Sequence, residues 1–415
     1  MINILKGMKD IYDDEAKLYE YIIKTCEKIA KNYSFDLILT PHLELNKLFH
    51  RSVGASSDIV GKEMYEFVDK GDNVVCLRPE GTAGIVRAYI EHKFDKQQIA
   101  KRWYYHGSMF RYERPQKARF REFHQFGVES FGIKSVLEDA SLILMVDNIL
   151  KELNIKAKLK INSLGCVNCI KIFNESFLNF IKNKDGFCID CNRRKNLNPL
   201  RMLDCKQDFC QVLLKDAPRL DGYLCDECKI DFDSLKNILN ENLIEFEIDN
   251  SLVRGLDYYS KTTFEFQSDE LGAQSAIAGG GRYDRLISYL DGKDGYGVGF
   301  AIGIERIMAI LSQRKNTDLK RDGIYLCSLD EKYLGFLLQI ATKLRANGEK
   351  VFFSYDIKKP IWHLSNADAK NAQFFACIGE DEINNKNINI KILGQDKTKS
   401  EKQEYIKNNI EKFLK

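Results

Sequence analysis

The sequence predicts a mixed α+β domain that is split by a cysteine-rich insertion and followed by a small α/β domain. Three observations predict it. Strand-like text broken by turns over residues 74–130 gives way to a helical pattern near Leu137–Leu153, and strand and glycine signals return at 252–303. Between these halves, Cys166 to Cys228 holds eight of the twelve cysteines in charged, helical text. After Ile324, strand and helix alternate, which marks a largely parallel sheet. The expected boundaries are 1–165 and 246–318 for the split domain, 166–245 for the insertion and 319–415 for the last domain.

A length of 415 residues suits two or three domains of about 100–200 residues each, which excludes a peptide hormone, a small toxin or a lone binding module. Hydrophobic residues at 44% and charged residues at 30%, with Pro 6 and Gly 27, describe a folded soluble chain. Lys+Arg 63 against Asp+Glu 60 leaves +3, so a polyanionic partner would have to be met by local clusters of charge. The opening MINILKGMKDIYDDEAK lacks a cationic segment followed by an apolar one, and no apolar run approaches the ~18–20 residues of a membrane span. A cytoplasmic protein without a membrane partner is therefore expected. There the cysteines would be thiols or metal ligands.

From Asp13 to Tyr33, Tyr19, Ile22, Ile23, Cys26, Ile29, Ala30 and Tyr33 recur at helical spacing, with Asp13 and Asp14 suited to the first turn. The strand Leu37–Pro41 follows, and its proline places it at an edge or an interface. Ile304–Leu311 reads as a helix and Ser312–Asp322 as a polar linker. Then come a strand at Ile324–Cys327, a helix at Tyr333–Arg345, and strands at Val351–Phe353 and Phe374–Ile378. Residues 320–415 carry 17 Lys+Arg against 13 Asp+Glu, which reads as a solvated lysine-rich surface.

The densest basic segment, Lys101–Arg121, interleaves Arg102, Arg111, Arg114, Lys117, Arg119 and Arg121 with aromatic residues and one acid, Glu113. Several guanidinium forks over one site suit a polyphosphate; a basic hairpin facing solvent is the other reading. On the return strand, alternation puts Phe123, Gln125, Gly127, Glu129 and Phe131 on one face, with Gly127 leaving room for a flat ligand. A carboxylate set among phenylalanines is costly to bury without a positive or hydrogen-donating partner, such as a substrate imidazole, an amine or a neighbouring arginine. The turn Arg78–Gly84 offers Glu80 and Thr82 as an acceptor pair for an ammonium group.

The glycine-rich stretches fit neither the dinucleotide nor the P-loop fingerprint. Gly295, Gly297 and Gly299 alternate, so one strand face is bare backbone for a planar base or a closely packed neighbouring helix, and Arg306 follows in the first turn of a helix. Three consecutive glycines, Gly279–Gly281, suggest a backbone approached closely by a ligand, with Tyr259 and Tyr283 supplying hydroxyls and Arg254 a fixed cation. Cys166-x-x-Cys169, Cys188-x-x-Cys191 and Cys225-x-x-Cys228 have spacings that suit tetrahedral zinc. The candidate set is one site of Cys188, Cys191, Cys225 and Cys228, the alternative being inert thiols.

These residues carry a resemblance. Phe110-Arg111-Tyr112-Glu113 with the loop Arg114–Arg121 resembles motif 2 of class II aminoacyl-tRNA synthetases, the strand ending at Pro41 resembles motif 1, and Gly297–Arg306 resembles motif 3. LVRGLDYY at 252–259 and GGGRYD at 279–284 resemble the two signatures of the histidyl-tRNA synthetase family. The resemblance spans nearly the whole chain. It implies a six-stranded antiparallel catalytic sheet with flanking helices, a homodimer built through motif 1, and a C-terminal anticodon-binding domain. The implied reaction is activation of L-histidine by ATP with Mg²⁺, then transfer to the 3′ end of tRNA(His).

By the same resemblance Arg111 and Arg254 are catalytic, and Arg111, Glu113, Arg119, Phe123 and Arg306 bind ATP. Glu80, Thr82 and Gln125 take the α-amino group, Glu129 and Tyr259 the imidazole nitrogens, and Tyr283 lines the same pocket. Arg114 and Gln116 face the tRNA acceptor end, whereas no anticodon-reading residue is singled out in the C-terminal domain. A silent paralogue that regulates an ATP phosphoribosyltransferase is the alternative. Arg111, Arg254, Arg306 and a domain at 320–415 together favour the enzyme, and the two signatures argue against a prolyl or threonyl substrate.

Overall fold

The computed structural model describes residues 2–54, 57, 59–97, 99–115, 118–205, 207–253, 256, 258–314, 321–384 and 388–394. The chain divides into two compact units, Met1–Lys315 and Asn316–Lys415.

The strands of the first unit are, in chain order, β1 Asp36–Leu37, β2 Leu43–Leu45, β3 Tyr65–Val68, β4 Val74–Leu77, β5 Lys101–Phe110 and β6 Glu122–Phe131. β7 Lys158–Ser163, β8 Phe246–Ile248, β9 Ser260–Gln267, β10 Ala276–Arg282 and β11 Gly297–Gly303 follow. Eight of them form one sheet in the order β1-β5-β6-β11-β10-β9-β7-β8, and β2-β4-β3 form a small antiparallel sheet. The expected six-stranded antiparallel sheet is therefore corrected to an eight-stranded mixed one. The ladders from β5 through to β7 are antiparallel, but β1 joins β5 and β8 joins β7 in parallel. Both edge strands sit far along the chain from their partners, as parallel neighbours must, because a hairpin cannot join them.

The helix Asp13–Asn32 carries three acids in its first turn, where the helix dipole favours them, and buries Leu18, Ile22, Cys26 and Ile29. With the helices Val136–Glu152 and Ile304–Leu311 it covers one face of the sheet, where Phe126, Val128, Phe264, Phe300 and Ile302 complete the core. Strand alternation sends Phe123 and Phe131 to the other face, beside Tyr105, Tyr258, Tyr283 and the helix Thr82–Glu91. The site is built there. The expected strand Leu37–Pro41 is corrected to Asp36–Leu37 at the sheet edge, and Leu37 and Leu39 are exposed beside the sheet margin.

A buried ion pair fixes the loop that leads into the helix Val136–Glu152. Arg282 is 2% exposed and Asp139 0%; the guanidinium donates to both Asp139 oxygens, to the carbonyls of Ile133 and Ser135, and to Asp284 Oδ1. Arg282→Met would leave Asp139 charged and without its main partner. The expected loss is about 3–5 kcal/mol of unfolding free energy in denaturant titration, and a loss under about 1 kcal/mol would contradict the pairing.

The insertion comprises the helices Val167–Ile181, Ile189–Leu197 and Asp208–Leu213 around Phe173, Phe177, Ile181, Met202, Leu203 and Cys210, and the helix Asp226–Glu241, whose Leu235 and Leu239 join the core of the large sheet. In the second unit, β12 Ile324–Ser328, β13 Val351–Phe353, β14 Phe374–Ile378 and β15 Ile390–Ile392 form a sheet in the order β13-β12-β14-β15. β12 runs parallel to β13 and β14, while β15 is antiparallel. The helix Leu334–Ala346 packs on β12 and β13, and Pro360 opens the helix Pro360–Ala369, where its missing N–H is no loss. No described helix is long and apolar enough to cross a membrane.

Candidate active site

A cavity of about 450 Å³ opens on the free face of the sheet. Arg111, Glu113, Arg119, Phe123 and Gln125 line it from β6 and the loop before it, Gly279 from β10, and Arg306 from the helix after β11. The bridging acid is Glu113, 8% exposed, which pairs with Arg119 and stands 3.8 Å from the Arg111 guanidinium. Arg111 Nε donates to the Pro79 carbonyl at 2.9 Å, and its guanidinium lies 5.2 Å from the Phe123 ring centroid. Arg306 donates to the Ala276 carbonyl. Three guanidinium groups thus face one cavity from fixed mounts, an arrangement that suits phosphate oxygens.

Along β6 the same face runs from Gln125 past Gly127 to Glu129. Glu129 is 1% exposed; Thr82 Oγ1 donates to its Oε1 at 2.6 Å and the Tyr283 hydroxyl donates to its Oε2. Burial pushes its carboxyl up to about 8, against the downward pull of those two hydrogen bonds and with the help of nearby Glu80. Glu80, also buried, accepts from the backbone N–H of Thr82 at 2.7 Å and of Ala83 at 2.9 Å. It thereby caps the helix that carries Thr82. Its carboxyl is raised by burial and lowered by those N–H groups and by the charge of Arg111. Tyr259 and Tyr283 stand edge to face, with centroids 6.4 Å apart, and Tyr258 packs against both.

The structure thus gathers Glu80, Thr82, Glu129, Tyr259 and Tyr283 into one cluster at the end of the arginine-lined cavity, with Gln125 between the two. The Gln125 Oε1 is buried and has no hydrogen-bond partner among the described residues, so it is open to a donor from a ligand. Arg114 is exposed beside Pro115. Arg254 and Gln116 lie outside the described residues.

Two expectations about glycine are corrected. The room at Gly127 is filled by protein, because a Cβ there would lie 2.5 Å from Tyr105 Cζ. Gly299 is likewise bare to admit the Glu129 carboxylate, and Gly297 to admit Tyr283, rather than to seat a planar base. Tyr105 was not signalled, since its pairing with Gly127 depends on the β5–β6 register. Glu305 holds the His124 ring and backbone N–H at 2.7 and 2.9 Å, and Asp204 reaches the cavity from the insertion; no local pattern marks either role. The single-site grouping of cysteines is also corrected. Cys188 and Cys191 lie with Cys205 and Cys210, while Cys225 and Cys228 lie with Cys166 and Cys169, because the helices starting at Ile189 and Asp226 begin at different places in the insertion.

Residues 7–307 match the family model for histidyl-tRNA synthetase. The chain belongs to that family. Residues 318–415 match an anticodon binding domain. Among relatives of this histidyl-tRNA synthetase family member, the histidine–tRNA ligase of Campylobacter lari is 62% identical over 99% of this chain and 100% of its own length. That of Campylobacter concisus is 58% identical over 97% of each. The crystal structure of apo S. aureus histidyl-tRNA synthetase is 32% identical, covers 95% of each chain and superposes with a TM-score of 0.79.

Proposed function

We propose that this site joins L-histidine to ATP and passes the histidyl group to the 3′ end of tRNA(His). The chain is a histidine–tRNA ligase by family and by full-length identity near 60% to ligases of that name. The observation that carries the substrate reading is Glu129, a carboxylate buried at the end of an arginine-lined cavity.

In this reading ATP enters as its Mg²⁺ complex, with Arg119 and Arg306 on the β- and γ-phosphates and Glu113 holding the Arg111–Arg119 pair in register. Arg111 spans the α-phosphate and the histidine carboxylate. A carboxylate oxygen attacks the α-phosphorus, the bond to the bridging oxygen breaks and pyrophosphate leaves. Fixed cations at the α-phosphate stabilise the charge that develops there, and Arg254 is the second such cation. The terminal ribose hydroxyl of tRNA then attacks the acyl carbon and AMP departs, with Arg114 and Gln116 facing the acceptor end. The ammonium group meets Glu80 and Gln125. Thr82 donates to Glu129 and still has lone pairs to accept from the ammonium.

Glu129 and Tyr259 take the two imidazole nitrogens, beside Tyr283. Any side chain without both ring nitrogens would leave these groups unpaired, which is where large discrimination arises. The domain at 318–415 binds the anticodon end of tRNA, and the edge around β1, with Leu37 and Leu39 exposed, is the dimer margin.

The test is ATP–pyrophosphate exchange against each of the twenty amino acids. Exchange with histidine alone is expected. Silence with all twenty would promote the regulatory reading, and exchange with another amino acid would overturn the pocket assignment.

A further inference from the structure

We infer that the insertion carries two structural zinc ions, each held by four cysteine thiolates. The first set is Cys166, Cys169, Cys225 and Cys228, and the second is Cys188, Cys191, Cys205 and Cys210. Within each set the four Sγ atoms all lie within 4.8 Å of one another, and none of the cysteines is in a disulfide. Zinc–sulfur bonds of about 2.3 Å in a tetrahedron place neighbouring sulfurs ~3.8 Å apart. The Cys166–Cys169, Cys188–Cys205 and Cys166–Cys225 separations are 3.6, 3.8 and 4.0 Å. An iron–sulfur cluster needs a wider cage, since its ligands must stand outside several metal ions. The spacing suits a single ion.

The chain around each set is arranged for thiolate sulfur. Cys166, Cys188 and Cys225 are the N-cap residues of the helices Val167–Ile181, Ile189–Leu197 and Asp226–Glu241. In each, the second cysteine of the pair lies in the first turn, where the helix dipole and unpaired N–H groups favour negative charge. Backbone N–H groups donate to sulfur in both sets: Cys225 to Cys169 at 3.1 Å, Cys188 to Cys210 at 3.3 Å, and Gln207 to Cys205 at 3.5 Å. Such bonds orient and stabilise metal-bound thiolates. Two of the four cysteines in the first set and three in the second are buried, so neutral thiols there would face one another with only weak donors.

Each set also joins segments that are separated along the chain. The first ties the start of the insertion to the start of its last helix, beside Gly165, where a Cβ would strike Cys169. The second gathers 188–210, the segment that brings Asp204 to the cavity. Among redox-inert divalent ions zinc is the one that four thiolates select, and it outcompetes ferrous iron at such ligands. On binding, each thiol releases its proton to solvent, so affinity rises with pH.

The test is elemental analysis and native mass spectrometry of the full chain purified without chelator, followed by cobalt(II) replacement. Close to two zinc ions per chain are expected, with cobalt(II) giving intense thiolate charge-transfer absorption. Cys188→Ser with Cys205→Ser should lower the count to one, and Cys188→Ser with Cys225→Ser should lower it to near zero. A wild-type count near zero or one, iron in place of zinc, or a cross-set pair that still holds one ion would overturn the assignment. The wild-type count and the cobalt spectrum decide the matter even where a variant does not fold.

Discussion

Glu129→Ala is expected to lower histidine-dependent ATP–pyrophosphate exchange by at least about a thousandfold while the chain still folds. The loss follows from the pocket: the carboxylate is the acceptor for one imidazole nitrogen, and its removal also leaves the Thr82 and Tyr283 hydroxyls without their acceptor. Because those orphaned hydroxyls cost about 1–3 kcal/mol in stability, Glu129→Gln is the companion variant, since its amide oxygen keeps an acceptor in place. Circular dichroism should be unchanged in both. Exchange within tenfold of wild type for the alanine variant would end the pocket model.

Glu129 also predicts a pH dependence of stability. Its carboxyl is raised from 4.5 to about 8, so between those values the folded chain holds a proton that the unfolded chain has released. Stability from this group therefore declines as pH rises from about 4.5 towards 8 and levels off above it. Glu129→Gln removes that slope. The variant should gain in melting temperature on wild type as pH rises through this window in the absence of substrates, and a constant difference would show that the carboxyl is ionised throughout.

Arg111→Gln should lower kcat for adenylate formation by about 10²–10³-fold, the usual effect of removing one fixed donor from a developing oxyanion. The guanidinium is held by the Pro79 carbonyl, Glu113 and the Phe123 ring before any ligand arrives, so its stabilisation requires little reorganisation. Arg111→Lys should recover little of the loss, because an ammonium lacks the planar fork that spans two oxygens. If kcat fell less than fivefold while KM for ATP rose, Arg111 would be a ground-state binding group and the α-phosphate assignment would fail.

Much of this site is written in local patterns. Alternation along β6 puts Phe123, Gln125, Gly127, Glu129 and Phe131 on the face opposite Phe126 and Val128, and the structure keeps that division. Arg111, Arg119 and Arg306 were legible as clustered charge beside turns, and they line one cavity. What was not legible depends on which strand lies next to which. Tyr105 fills the space at Gly127 through the register of the β5–β6 pair, and Glu129 the space at Gly299 through a pairing between strands far apart in the chain.

From the sequence alone come the alternation along β6, the clustered arginines and the three Cys-x-x-Cys pairs, because periodicity and short spacings are local properties of a chain. Tertiary structure alone decided that the sheet has eight strands with parallel edges, and that the cysteines divide into two sets of four. The reason is the same in both cases. Edge strands and helix N-termini meet only where long connections return, and the free energy that selects those meetings comes from packing between distant segments, which no local pattern records.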